Sequence, residues 1–354
     1  MHKGDIMTNE VLFSINDNGV ATITLNRPKA LNSLSYEMVR EIGIKLEEWK
    51  ADDSICVVIL NGAGEKGFCA GGDIKALYQS NSSDVAYQEA KQFFKVEYEV
   101  DQLIYSFPKP IIACLDGIVM GGGVGLSYGA SHRIVTERTK WAMPEMNIAF
   151  FPDVGAAYFL NKAPSYLGRY LALTASIITA PDILFINAAD VFMTQEALRE
   201  FIMTVNKTNW HGRSIEITLQ DLIESYAIFP KEASKLQNQA ERINEHFAFN
   251  TIEDIILSLE EKDDAFAEET KKTLMSKSPF SLKVTLKQLI DGQNKTIEEC
   301  LATDLTLANN FMKHHDFFEG VRTVLIDKGQ KPQYTYKKLD DVSPKVVNDF
   351  FKPI

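Results

Sequence analysis

The sequence predicts an α/β core followed by an all-helical C-terminal region, and three observations carry the prediction. Short apolar runs of strand length alternate with amphipathic helical patterns up to about residue 195. Gly-rich turns follow two of those runs, as expected where strands hand over to crossover helices. From about Ser214 the strand-like runs vanish, and Glu- and Lys-rich helical patterns continue to the end. A boundary near 195–215 divides a core at 11–205 from a helical region at 206–354, expected to pack on the core rather than stand free.

Taken in order, Val11–Ile15 and Val20–Leu25 alternate apolar with small or polar residues around Asn16-Asp17-Asn18-Gly19, a hairpin signal. Met38, Ile42, Leu46 and Trp49 recur at helical spacing after Ser35. Ile55–Leu60 reads as a buried strand, and a Gly-rich loop runs from it to Gly72. Val85–Tyr105 is helical again. Pro110–Leu115 is a second buried strand, followed by Gly121–Gly123 and a helix of small residues; His132–Thr136 is a further strand.

The 354 residues are 45% hydrophobic and 24% charged, ample for a large core. The 48 acidic and 37 basic residues give a net charge of −11, which argues against a nucleic-acid partner. A small anionic ligand remains compatible, since a few Lys, Arg and backbone N–H groups suffice for one phosphate. Cys56, Cys69, Cys114 and Cys300 are widely spaced and form no CxxC pair, which suits a reducing compartment and neither a disulfide framework nor a zinc site. No apolar stretch reaches the length of a bilayer span, so no membrane partner is expected. The first ten residues carry neither a signal-peptide core nor an Arg-rich transit helix, and the cytoplasm is the expected location.

Two segments share a plan of buried strand, Gly-rich turn and helix start: Phe68-Cys69-Ala70-Gly71-Gly72-Asp73-Ile74-Lys75, and Asp116 to Gly125 with Gly121-Gly122-Gly123 at its centre. Backbone N–H groups at two such turns can converge on one oxygen that becomes negative during a reaction. A pair of flexible loops is the alternative. Gly62-Ala63-Gly64-Glu65-Lys66-Gly67 matches G-x-G-x-x-G, but no helix opens at the third glycine, so a dinucleotide site is rejected. Gly125-Leu126-Ser127-Tyr128-Gly129 matches a nucleophile elbow with His132 nearby, yet the preceding strand ends near Leu115. Ser127 is therefore expected one turn into a helix, with the elbow as the lesser alternative. His315 and Glu319, beside His314, have the spacing of a helical metal pair, but no third ligand accompanies them and no metal is expected.

Three carboxyls stand out. Glu145 follows Pro144 between Trp141-Ala142-Met143 and Ile148–Phe151, and burial there would raise its pKa toward the range of a working base. Asp153 follows Pro152 in a loop, where it can point into a pocket, cap the helical run that begins at Val154, or do both. Glu97 shares its helix with Glu89, Glu99 and Asp101, so a solvated charge is as good an account of it as a site residue.

Together, Thr24-Leu25-Asn26-Arg27-Pro28-Lys29-Ala30-Leu31-Asn32, Phe68–Lys75, Met120–Gly125 and Met143-Pro144-Glu145 resemble the crotonase (enoyl-CoA hydratase/isomerase) superfamily. Within it, the run from Met143 through Phe150-Phe151-Pro152-Asp153-Val154-Gly155 is most similar to the 3-hydroxyisobutyryl-CoA hydrolases. So are the tail segments Ser278–Lys283, His315–Arg322 and Leu325–Lys328. The resemblance implies a spiral of ββα units and an oxyanion hole from the N–H groups of Gly72 and Gly122. It implies a coenzyme A cradle at Arg27, Lys29, Ala30 and Leu31 and at Gly71, Gly72, Asp73, Ile74 and Lys75. Glu145 and Asp153 would be the working carboxyls, with Glu97 and Gly122 also touching substrate. Hydratases of the superfamily carry a glutamate at the position of Gly125 and a glycine at that of Asp153, so the resemblance points to thioester hydrolysis rather than hydration. It implies an acyl-CoA substrate that brings its own coenzyme, no metal or redox cofactor, and a possible homo-oligomer, although the helical tail could cover the same surface within one subunit.

Overall fold

The computed structural model describes residues 10–212 and 214–353; most of the N-terminal stretch read for targeting signals lies outside them. Among the described residues, nine strands form two sheets. The larger contains β1 (Val11–Ile15), β2 (Val20–Leu25), β3 (Val57–Gly62), β5 (Ile111–Leu115), β7 (His132–Val135) and β9 (Val191–Phe192), in the order β1-β2-β3-β5-β7-β9. The smaller contains β4 (Gly67–Cys69), β6 (Ile118–Met120) and β8 (Lys140–Ala142), in that order. Among the strand pairs of the described residues, only the β1–β2 hairpin is antiparallel. Each of β3–β4, β5–β6 and β7–β8 gives its first strand to the large sheet and its second to the small one. Successive units therefore stack as the turns of a spiral, as the resemblance implied.

The sequence explains this local order. Ser35 and Ser83 accept hydrogen bonds from the Met38 and Ala86 N–H groups and start the helices Tyr36–Ala51 and Asp84–Tyr105. In β3, Val58 and Leu60 point into the main core, while Val57 and Ile59 point to the opposite face. That second face is covered by Leu198, Phe201 and Val205 of the helix Gln195–Lys207 and by Leu219 and Ile223 of the helix Ile215–Tyr226. A parallel sheet buried on both faces needs continuous apolar strands, which is what β3 and β5 supply.

After Ser214 the chain is helical, apart from its turns and connections. Phe280, Leu289, Phe311 and Phe317 of this region join the same core as Phe94, Phe151 and Val154. Each such buried aromatic contributes roughly 1.5–3 kcal/mol relative to exposure.

Candidate active site

The small sheet sets the first half of the site. β4 and β6 run parallel, pairing Gly67 with Ile118 and Cys69 with Val119, so their Gly-rich turns emerge side by side. A Cβ added to Gly122 would lie 3.3 Å from the Gly72 nitrogen, and one added to Gly71 would lie 3.3 Å from the Gly122 nitrogen. Among the described residues, neither the Gly72 nor the Gly122 N–H donates a backbone hydrogen bond. The Leu34 N–H donates to the Gly71 carbonyl at 2.8 Å and the Asp73 N–H to the Leu34 carbonyl at 2.9 Å, fixing the first turn on both sides of Gly72. Residue 122 must be glycine for want of space: its Cβ would fall 2.4 Å from Glu97 Oε1.

These turns open on a cavity of about 240 Å³ whose lining includes Gly72, Gly122, Glu97, Glu145 and Asp153, with Phe317 and Leu325 from the C-terminal region. Glu97, Glu145 and Asp153 are all buried. Tyr98 donates its O–H to Asp153 Oδ2 at 2.6 Å. Glu97 Oε1, Glu145 Oε2 and both carboxyl oxygens of Asp101 have no hydrogen-bond partner among the described residues. Burial, reinforced by the charge of Asp153, pushes Glu97, Asp101 and Glu145 well above the usual carboxylate range. Burial also raises Asp153, but the Tyr98 hydroxyl and the residue's own backbone N–H hold it to about 6. Carboxyls that repel one another in a buried cluster do not ionise independently, and groups raised in this way can exchange protons near neutral pH.

The structure separates the candidates the sequence left open. Glu97 is not a solvated charge: it is 3% exposed and lines the cavity. Asp153 is not a helix cap, because the helix Ala156–Phe159 begins at Gly155 and its N-cap makes no side-chain bond. Ser127 lies within the helix Gly122–Tyr128 and donates its hydroxyl to the Gly123 and Val124 carbonyls at 2.8 and 3.1 Å, so the elbow is absent. Gly62 ends β3 and Gly67 begins β4, so the dinucleotide pattern spans a strand-to-strand loop. Glu319 binds Arg322 at 2.7 Å, and His314 stacks on Phe280 at 4.3 Å.

The predicted coenzyme stretch divides. Gly71, Gly72 and Ile74 line the cavity, whereas Arg27, Lys29, Ala30, Leu31, Asp73 and Lys75 lie outside its lining. Arg27 pairs with Asp73 at 2.9 Å and Glu10 at 3.2 Å, so it ties the two loops together, while Lys29 and Lys75 are exposed.

Sequence reasoning missed two residues behind the cavity wall, Tyr98, which binds Asp153, and Asp101, which lies beside Gly125. Their signal was positional: Ala90, Phe94, Glu97, Asp101 and Ile104 step by three and four along one helix face, and all are buried. Two carboxyls on an apolar face are the anomaly that marks a site.

The family model described as enoyl-CoA hydratase/isomerase matches residues 20–351, and the chain belongs to that family. Among its relatives, the mitochondrial 3-hydroxyisobutyryl-CoA hydrolase of Mus musculus is 40% identical over 336 residues, covering 94% of this chain and 86% of that protein. The Homo sapiens protein of the same name is 38% identical, with the same two coverages. Among solved structures, a carnitinyl-CoA dehydratase from Mycobacterium thermoresistibile superposes with a TM-score of 0.90 at 36% identity, covering 98% of this chain and 97% of that one. An enoyl-CoA hydratase from Rhodobacter sphaeroides 2.4.1 follows at 0.87 and 32%, covering 98% of each chain.

Proposed function

We propose that this protein hydrolyses 3-hydroxyisobutyryl-CoA, as the (S) isomer, to 3-hydroxyisobutyrate and coenzyme A. The observation that carries the reading is the bare position 125. A Cβ there would fall 2.4 Å from Val154 Cβ and 2.8 Å from Asp101 Oδ2, so the glutamate that the resemblance assigns to hydratases at this position has no room. A carboxyl stands at Asp153 instead, in the same cavity as Glu145. The names of relatives 37–40% identical to the chain point the same way.

The thioester oxygen would sit between the Gly72 and Gly122 N–H groups, where losing one aimed donor costs about 3 kcal/mol of transition-state stabilisation. Glu145 would either draw a proton from water or attack the acyl carbon itself. Either the water oxygen adds to that carbon directly, or Glu145 adds first and water then opens the resulting anhydride and frees the carboxyl; in both routes the carbon–sulfur bond breaks and the departing thiolate takes up a proton released by water. Asp153 would orient the 3-hydroxyl or assist that departure, with Glu97 lining the acyl end. Coenzyme A would run past Lys29–Leu31 and Gly71–Lys75, arriving as part of the substrate, with no further cofactor. The product acid places the reaction in valine breakdown. Four buried free thiols, Cys56, Cys69, Cys114 and Cys300, support a reducing compartment. We assign the cytoplasm, with the mitochondrion of the relatives' names as the alternative that fractionation would reveal.

Enoyl-CoA hydration is the second reading, favoured by the similarity to a solved CoA-thioester dehydratase and a solved enoyl-CoA hydratase. One assay decides. Free thiol should appear from 3-hydroxyisobutyryl-CoA while crotonyl-CoA keeps its enoyl absorbance; loss of that absorbance without thiol release would overturn the hydrolase reading, and inertness toward both would leave a binding protein.

A further inference from the structure

We propose that Gln288 and Asp304, on two helices of the C-terminal region, are positioning residues for Asp153. The proposal rests on the hydrolase reading above and deepens it. Gln288 lies on the helix Pro279–Gly292 and Asp304 on the helix Ile297–Phe311; they are 2% and 0% exposed. Gln288 Nε2 donates to the Pro152 carbonyl at 2.8 Å and to Asp304 Oδ1 at 2.8 Å. Asp304 Oδ2 accepts the Gly155 N–H at 2.8 Å. One continuous relay of side chains thus grips the loop immediately before and two residues after Asp153.

That loop needs gripping. Val154 has φ of 51°, a left-handed conformation that a β-branched residue adopts only when its surroundings impose it, and Gly155 follows at 82°. Upstream, Phe150 and Phe151 pack on Phe311 of the Asp304 helix, with ring centroids 5.1 and 5.4 Å apart. Asp153 itself reaches Tyr98 on the opposite wall. Its backbone is therefore set from the tail and its carboxyl from the core. An apolar pair would join the two tail helices without the cost of desolvating an amide and a carboxyl, so the polar pair needs a gain elsewhere. Holding a strained, acid-bearing loop in register is that gain.

The test is a double-mutant cycle on the full-length protein, read as kcat/KM. Gln288→Met keeps length and volume but removes the donor. It should lower kcat/KM for 3-hydroxyisobutyryl-CoA about tenfold, short of the hundredfold that a full 1 Å misplacement can produce. It should also narrow the preference for that substrate over isobutyryl-CoA. In an Asp153→Asn background the same substitution should change the rate less than about twofold, since the group being positioned is gone. An equal loss in both backgrounds, or an unchanged substrate preference, would overturn the proposal. Should Gln288→Met lose its cooperative melting transition, Asp304→Asn enters the same cycle and the same outcomes decide. A wild-type protein releasing no thiol from 3-hydroxyisobutyryl-CoA would sink the hydrolase reading instead, which keeps the two failures apart.

Discussion

The two ends of the cavity are built by different means. At the Gly72–Gly122 end, backbone N–H groups are placed by two parallel three-residue strands within the core, and side chains matter by their absence. At the Asp153 end, the group that lines the cavity is a side chain, and its loop is held by other side chains up to 149 residues further along. The first end is therefore sensitive to volume and the second to the loss of donors. Substitutions that separate volume from hydrogen bonding would break or sharpen this contrast.

The largest effect is expected from Glu145→Gln, which keeps the shape and removes the ionisable carboxyl. Loss of a general base costs on the order of a hundredfold or more in kcat, and loss of a nucleophile more still. Hydrolysis at the wild-type rate would remove Glu145 from the mechanism. Gly122→Ala comes next, because its new methyl carbon would fall 2.4 Å from Glu97 Oε1 and crowd the Gly72 nitrogen. A fall of roughly tenfold to a hundredfold in kcat, up to the low end of what one oxyanion donor contributes, is expected. A change under twofold would show that this end tolerates volume after all.

Tyr98→Phe tests the donor-dependent end through pH. The Tyr98 hydroxyl stabilises the Asp153 anion, so removing it raises Asp153 above its present value of about 6. Where activity needs that anion, the acidic limb of the kcat/KM profile moves to higher pH. The variant then loses severalfold near pH 6 and approaches wild type near pH 8. A limb that stays in place would show that Asp153 works as the neutral acid or does not titrate in this step. The smallest effect belongs to Ser127→Ala, which lies beyond both ends and loses only two bonds to carbonyls of its own helix. Turnover should stay within about twofold, and a serine-directed phosphonate should leave the protein unlabelled; labelling with loss of turnover would restore the serine nucleophile.

Legibility in the sequence followed the range of the interactions. The β1–β2 hairpin, the helix after Ser35, the helix Asp84–Tyr105 and the buried strand β5 follow from local patterns and lie within a residue of where those patterns put them, while β3 is shifted two residues beyond the run Ile55–Leu60. The burial of Glu145 was readable from its apolar flanks. The small sheet was not, since three residues carry no period and its strands are defined only by each other. Asp304 and Gln288 were out of reach for the same reason: their partners lie 149 and 136 positions away, and no local pattern marks either. The N-cap role left open for Asp153 is not taken up, since the helix cap falls two residues later, at Gly155, and Tyr98, 55 residues upstream, binds the carboxyl.

The late position of Gln288 and Asp304 has a consequence for synthesis. A ribosome delivers the chain from its N-terminus, so Glu145 and Asp153 are exposed well before the groups that brace the Pro152–Gly155 loop have been translated. Phe317 and Leu325, which line the same cavity, emerge later still. Until those residues are in place the cavity lacks part of its wall, so the site is completed only when the last helices dock.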